Sequence, residues 1–287
     1  MSDEKKNIVL VTGASRGAGK GIALALANPN SVVYITGRSQ KEGDAPLPGT
    51  IHATAEAVRA RGAECHAVVC DHADDAQVEN LFAQIKAAHG KLDILVNNAL
   101  ALPEAITLPG AFWQKPLEMI DITNVGMRSS YVASFYAAPL LLASKRGLIV
   151  NTSSPGGRCY MHGPAYGAGK AAVDKMAHDM AIDFELHKVC VVSLWMGLLK
   201  TERTQLVFDA QPELYADIAA TAETPEFNGR VIQALANDPM RMQKTGRVYW
   251  SAELAEAYGV QDINGAQPPS HRPMLGDPTE FNPAVIQ

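Results

Sequence analysis

The sequence predicts one α/β domain on a doubly wound parallel sheet, and three observations carry that expectation. Short apolar runs rich in β-branched residues alternate with helical patterns along most of the chain. A glycine-rich turn lies between the first apolar run and the first helix. No linker-like stretch divides residues 1–265, and with 287 residues, 47% hydrophobic and 19% charged, the chain can bury a full core.

The expected strands are Asn7 to Thr12, Ser31 to Thr36, Glu64 to Cys70, Leu92 to Val96, Gly147 to Thr152 and Val189 to Leu194. Their nearly continuous apolar character fits a sheet covered on both faces. The clearest helix is Asp74 to Ala88, where Val78, Leu81, Phe82 and Ile85 recur at helical spacing. Gly62 and Gly90 stand where helices should stop. Strand–helix–strand repetition implies right-handed crossovers. Two segments break the rhythm. Ser39 to Gly49 (SQKEGDAPLPG) reads as a surface loop. Residues 266–287 carry Pro268, Pro269, Pro273, Pro278 and Pro283, which predicts an extended C-terminal arm without helix or central strand.

Composition narrows the function classes. A net charge of −5 without a basic run argues against a nucleic-acid partner. The start MSDEKK lacks the apolar core of a signal peptide. The stretch Tyr131 to Ala143 is too short to span a bilayer and contains Pro139. The chain therefore reads as a soluble cytoplasmic protein without a membrane partner. Cys65, His66, Cys70 and His72 lie close in sequence, but strand alternation sends them to two faces, so no metal site is expected.

The turn Thr12-Gly13-Ala14-Ser15-Arg16-Gly17-Ala18-Gly19 carries the first chemistry. Its glycines let the backbone approach a pyrophosphate, which would rest on the free N–H groups opening the next helix. Glycine clusters are often ordinary turns. This one stands at the first strand-to-helix junction, where such sheets bind dinucleotides. Further on, Tyr166-x-x-x-Lys170 places a phenol and an ammonium one helical turn apart. The cation is expected to lower the tyrosine pKa from about 10 and so tune it for proton transfer. A hydroxyl at the end of the fifth strand, from Ser153 or Ser154, would polarise a carbonyl.

These motifs, together with Asp71, Asn97-Asn98-Ala99 and Gly197-x-x-x-Thr201, resemble the short-chain dehydrogenase/reductase family over about the first 250 residues. TGRS after the second strand, GLIVNTSSPG and LAEAYGVQDINGAQP are similar to the subgroup called dehydrogenase/reductase member one and its bacterial relatives. The resemblance implies a Rossmann fold and hydride transfer between a nicotinamide cofactor and a carbonyl or secondary alcohol. Tyr166 would be the general acid or base and Lys170 would also hold the cofactor ribose. Counting along the strand puts the family's serine at Ser154; counting back from Tyr166 puts it at Ser153. Length changes belong in loops, so Ser154 is favoured. Asn124 is the candidate for holding a relay water, although Gly126 comes one residue early for the family spacing.

For the cofactor, the resemblance implies contacts from Gly13, Ser15, Arg16, Gly17, Ala18 and Gly19, from Asp71 at the adenine, from Asn97 and Ala99 at the fourth strand, and from Leu199 and Thr201 at the carboxamide. The family's NNAG reads NNAL, with Leu100 narrowing the floor, and its Pro-Gly after the sixth strand reads Met196-Gly197. The second strand ends Thr36-Gly37-Arg38 without the acid that selects NAD, so Arg38, joined by Arg16, is expected to select NADP(H). The segment Glu202 to Phe227 should cover the substrate, with Leu206, Val207, Phe208, Leu214, Tyr215 and Ile218 as an apolar lid or as packing against the sheet. Long helices at 116–143 and 164–187, with Tyr131, Val132, Phe135, Val173 and Met176, are expected to pair in a homodimer or homotetramer. Two rival readings are a non-catalytic nucleotide-binding regulator and a dehydratase or epimerase. Retention of Ser, Tyr and Lys together argues against the first.

Overall fold

A computed structural model describes residues 6–286. Most of the charged start MSDEKK lies outside the described residues. Seven parallel strands stand in the order β3-β2-β1-β4-β5-β6-β7. They are β1 (Asn7–Val11), β2 (Ser31–Gly37), β3 (Glu64–Val69), β4 (Ile94–Asn97), β5 (Leu148–Ser153), β6 (Cys190–Trp195) and β7 (Arg247–Trp250). The order reverses between β1 and β4, which pair Val9 with Ile94 and Val11 with Val96. Such a reversal opens a crevice outside the carboxyl ends of the strands.

The helices are α1 (Gly17–Leu26), α2 (Ile51–Arg59), α3 (Asp75–His89), α4 (Ser129–Ala143), α5 (Pro164–Asp183), α6 (Glu202–Ala210), α7 (Pro212–Thr221), α8 (Pro225–Asn237), α9 (Ser251–Tyr258) and α10 (Arg272–Leu275). Strand alternation divides the core in two. Val9 and Val11 of β1 pack with Ile22 of α1, Val58 of α2 and Phe227 of α8. Ile8 and Leu10 pack on the other face with Val78, Leu81, Phe82 and Ile85 of α3 and Ala137 of α4. Each such fully buried aliphatic side chain contributes about 1.5–3 kcal/mol. The same alternation separates Cys65, in the first cluster, from Cys70, in the second. Helix α3 begins where Asp74 accepts from the N–H groups of Ala76 and Gln77 and ends at Gly90, left-handed at φ 66°.

Four sequence expectations are corrected. Strand β7 was not expected, because four residues in the pattern RVYW are too few to show a period. The long helix at 116–143 is not continuous: a short turn at Leu117–Ile120 and a kink at Val125–Gly126 precede α4. Gly126 sits at φ 150°, which no helix accommodates. The C-terminal arm contains α10, because Pro273 falls in the first turn, where its missing N–H costs nothing. The arm also docks: Arg272 pairs with Glu253, and the Trp250 indole N–H donates to the Gly276 carbonyl at 3.2 Å. Finally, Leu206, Val207, Leu214 and Ile218 are exposed on α6 and α7, so they do not pack the segment onto the sheet. Among the described residues no helix is long and apolar enough to cross a membrane.

Candidate active site

The glycine turn leaves β1 toward the crevice. Gly13 and Gly17 adopt φ of 66° and 57°, conformations that disfavour a side chain. A Cβ on Gly13 would lie 2.7 Å from Ala99 Cα, and one on Gly19 would collide with the Gly13 carbonyl oxygen. The turn is held from below. Thr12 Oγ1 accepts from the N–H groups of Asn98 and Ala99, and the Asn98 amide donates to the carbonyls of Thr12 and Gly13. Thr36 Oγ1 accepts from Gly13 N–H at 3.3 Å and pairs with His72 Nε2 at 2.7 Å. Burial holds His72 down to about 4, so it is neutral at physiological pH.

The first N–H groups of α1 have no intrahelical acceptor. One of them, from Gly17, donates to the Glu202 carboxylate at 2.9 Å. A carboxylate thus rests at the N-terminus of α1, where the free N–H groups and the helix dipole favour negative charge. Ser15 is buried beside Gly37, and Ala18 lies in the first turn of α1.

Several expected cofactor contacts are placed differently. The Arg16 guanidinium donates to the carbonyls of Pro48 and Gly49 and to Ser39 Oγ, so it braces the 39–49 loop and does not converge with Arg38. Arg38 is exposed, with its Nη1 3.7 Å from Asp71 across the ends of β2 and β3. Asn97 is buried, and its amide donates to Ser134 Oγ and Asn151 Oδ1, at 3.0 and 2.8 Å. Strand alternation turns Asn97 toward α4 and β5, and the tie to the glycine turn falls to Asn98, which sequence reasoning passed over. Thr201 caps α6, its hydroxyl accepting from Thr204 N–H, while the Leu199 carbonyl accepts from Thr201 N–H at 2.9 Å.

At the end of β5, Ser154 Oγ and the Tyr166 hydroxyl are 2.8 Å apart. Ser153 is the last strand residue, and its buried hydroxyl lies beside the Asp174 carboxylate. The short turn Pro155–Gly157 carries the chain past Tyr166, and a Cβ on Gly156 would lie 2.6 Å from the Tyr166 ring. One turn along α5, the buried Lys170 ammonium donates to the Thr152 carbonyl at 3.1 Å and lies 5.7 Å from the Tyr166 ring centre. Asp174, a further turn along, is fully buried and accepts from Ser193 Oγ and the Trp195 indole. Burial draws Lys170 down to about 8, with Asp174 opposing.

The expected lowering of the Tyr166 pKa is not found. Burial raises it, and the Ser154 hydroxyl only partly offsets the rise. The cation points at a backbone carbonyl and meets the ring face, so burial wins. Asn124 is exposed on the kinked turn before α4, where its carbonyl accepts from Ser129 N–H. The early Gly126 makes that kink and leaves room for Leu100: a Cβ on Gly126 would lie 2.5 Å from Leu100 Cδ1. A small crevice beside the phenol is lined by Leu100, Ile122, Gly126, Met127, Tyr166 and Lys170. His162, also unforeseen, meets the Tyr166 ring edge-on at 5.1 Å from a left-handed backbone, φ 58°. No group of three potential metal ligands occurs among the described residues.

The family model described as short chain dehydrogenase matches residues 7–212. The mouse protein "Dehydrogenase/reductase SDR family member 1" is 42% identical over 272 residues, spanning 91% of this chain and 84% of that one. Its human counterpart is 40% identical over 269 residues, 90% of this chain and 83% of that one. A solved 3-oxoacyl-[acyl-carrier protein] reductase from Brucella melitensis, in complex with NAD, superposes with a TM-score of 0.72 at 22% identity, covering 86% of this chain and 95% of that one. This last likeness is one of fold. With the glycine turn, the sheet order and the Ser154–Tyr166–Lys170 cluster in place, these matches show that the chain belongs to the short-chain dehydrogenase/reductase family of oxidoreductases.

Proposed function

We propose that the protein reduces the carbonyl group of a small apolar or aromatic ketone, aldehyde or quinone to the alcohol with NADP(H). The observation that carries this reading is the 2.8 Å contact between Ser154 Oγ and the Tyr166 hydroxyl, with the Lys170 ammonium on the same helical face. NADP(H), when bound, supplies the hydride at its nicotinamide. Ser154 donates a hydrogen bond to the carbonyl oxygen and steadies the negative charge that grows there. Tyr166 delivers the proton to that oxygen. Its raised pKa keeps it protonated and fit to act as an acid. Lys170 stabilises the phenolate left behind and contacts the ribose. The exposed Leu206, Leu214 and Ile218 on α6 and α7 support an apolar substrate. A panel of ketones, aldehydes and quinones, assayed by NADPH oxidation, tests the reading; binding of NADPH without turnover of any of them would favour a regulator.

Cofactor choice rests on Arg38. It stands free of the loop that engages Arg16, and no acid ends β2 to repel a 2′-phosphate. A charge-assisted hydrogen bond is worth about 1.5–3 kcal/mol. Arg38→Ala is expected to weaken NADPH binding by roughly ten- to a hundredfold and to leave NADH nearly unchanged. Steady-state kcat/KM with both cofactors checks this; equal losses would remove Arg38 from the phosphate site.

The protein is expected to form a homodimer or homotetramer through α4. Val132 and Val173 belong to the core, but Tyr131, Phe135 and Leu142 are exposed at spacings that align them on one stripe of α4. Light scattering at micromolar concentration should give a multiple of the chain mass, and Phe135→Glu should lower it.

A further inference from the structure

We infer that Glu223 is the positioning residue for the loop that receives the nicotinamide, holding that loop in place of the proline that the sequence lacks at Met196. The inference rests on the cofactor reading proposed above.

Glu223 is 1% exposed, and all of its polar atoms are engaged. Its Oε1 accepts from Gly197 N–H at 3.1 Å and from Ser251 Oγ of α9 at 3.2 Å. Its Oε2 accepts from the Asn228 amide of α8 at 2.8 Å. Its backbone joins the same loop: Glu223 N–H donates to the Leu198 carbonyl at 2.7 Å, and Lys200 N–H donates to the Glu223 carbonyl at 2.8 Å. Residues 197–200 are therefore pinned by five bonds' worth of one residue's contacts and supports, three to the loop itself and two to the helices behind it. A Cβ on Gly197 would meet the Glu223 carboxylate, so the glycine is what lets the acid approach. Burial raises the Glu223 pKa to about 7. The charged or titratable groups around it are Asp262, which binds Thr224 and raises that pKa further, and His271 of the arm, which flanks Gly197.

Removing the carboxylate frees the loop at Leu199 and Thr201, while the glycine turn keeps its own hydrogen bonds to Thr12, Asn98 and Thr36. The two halves of the cofactor then separate in experiment. The probes are NADPH and 2′-phospho-ADP-ribose, which lacks the nicotinamide, with binding measured by calorimetry. Glu223→Ala, which removes both carboxylate oxygens, should weaken NADPH about tenfold and change 2′-phospho-ADP-ribose less than about twofold, and Glu223→Gln, whose amide oxygen still accepts from Gly197 N–H, should restore most of the NADPH affinity. Ser251→Ala, which removes only the 3.2 Å bond, should show the same selectivity at about two- to threefold, and serves if Glu223→Ala does not fold. Equal weakening of both ligands, or of neither, overturns the assignment. If the unaltered protein binds neither ligand, the cofactor reading itself fails, and that result is distinct from the others.

Discussion

Tyr166→Phe should lower kcat by about 10² to 10⁴-fold, the range for loss of one general acid. The removed atom is the hydroxyl that stands 2.8 Å from Ser154 Oγ, and no other hydroxyl shares that contact. The ring remains, with its packing against Gly156, its edge contact with His162 and its place above the Lys170 ammonium. NADPH affinity should therefore stay within about threefold, since less than one hydrogen bond's worth of binding is involved. Stopped-flow turnover together with a fluorescence titration separates the two quantities. Near-normal turnover with intact binding would remove Tyr166 from the chemistry.

Ser154→Ala is expected to cost about 10² to 10³-fold in kcat, as for removal of one oxyanion donor. Ser153→Ala should instead act on stability. The Ser153 hydroxyl is buried at the end of β5 beside the Asp174 carboxylate, so its removal costs support to a buried acid, and the variant should retain near-normal kcat. Steady-state kinetics and thermal melts of both variants make the comparison. The opposite ranking would place the oxyanion contact on Ser153.

The pair of serines shows how far local pattern reaches. Residues along GLIVNTSS keep strand register, and β5 pairs with β4 and β6 without a gap, so counting along it leads to Ser154. The interval back from Tyr166 crosses the loop 154–163, where length is free to vary, and points to Ser153, whereas the hydroxyl 2.8 Å from Tyr166 is that of Ser154. The glycine turn and α3 were legible for a related reason: glycine spacing, caps and apolar periods act within a few residues of one another.

What the sequence hides depends on contacts between distant residues. Asn97 and Asn98 are adjacent and chemically identical, and only the direction of β4 decides that the first faces Ser134 and the second the glycine turn. Arg16 looks like a phosphate ligand until the 39–49 loop folds back and offers it carbonyls. The Tyr166–Lys170 spacing foretells a shared face, but not the carbonyl of Thr152 that the ammonium meets or the burial that raises the phenol's pKa. Glu223 sits in an unremarked AETPEF stretch, and its role arises from Gly197, Asn228 and Ser251, which folding alone gathers around it.

The role proposed for the Ser154–Tyr166–Lys170 cluster is to direct a hydride to a carbonyl carbon. NADPH deuterated at the transferring nicotinamide position, turned over with a ketone from the panel that supports reaction, tests it most directly. Mass spectrometry should find one deuterium on the alcohol carbon, at a rate that collapses in Tyr166→Phe. NADPH binding without deuterium transfer to any carbonyl of the panel, or transfer that persists undiminished in Tyr166→Phe, would contradict it.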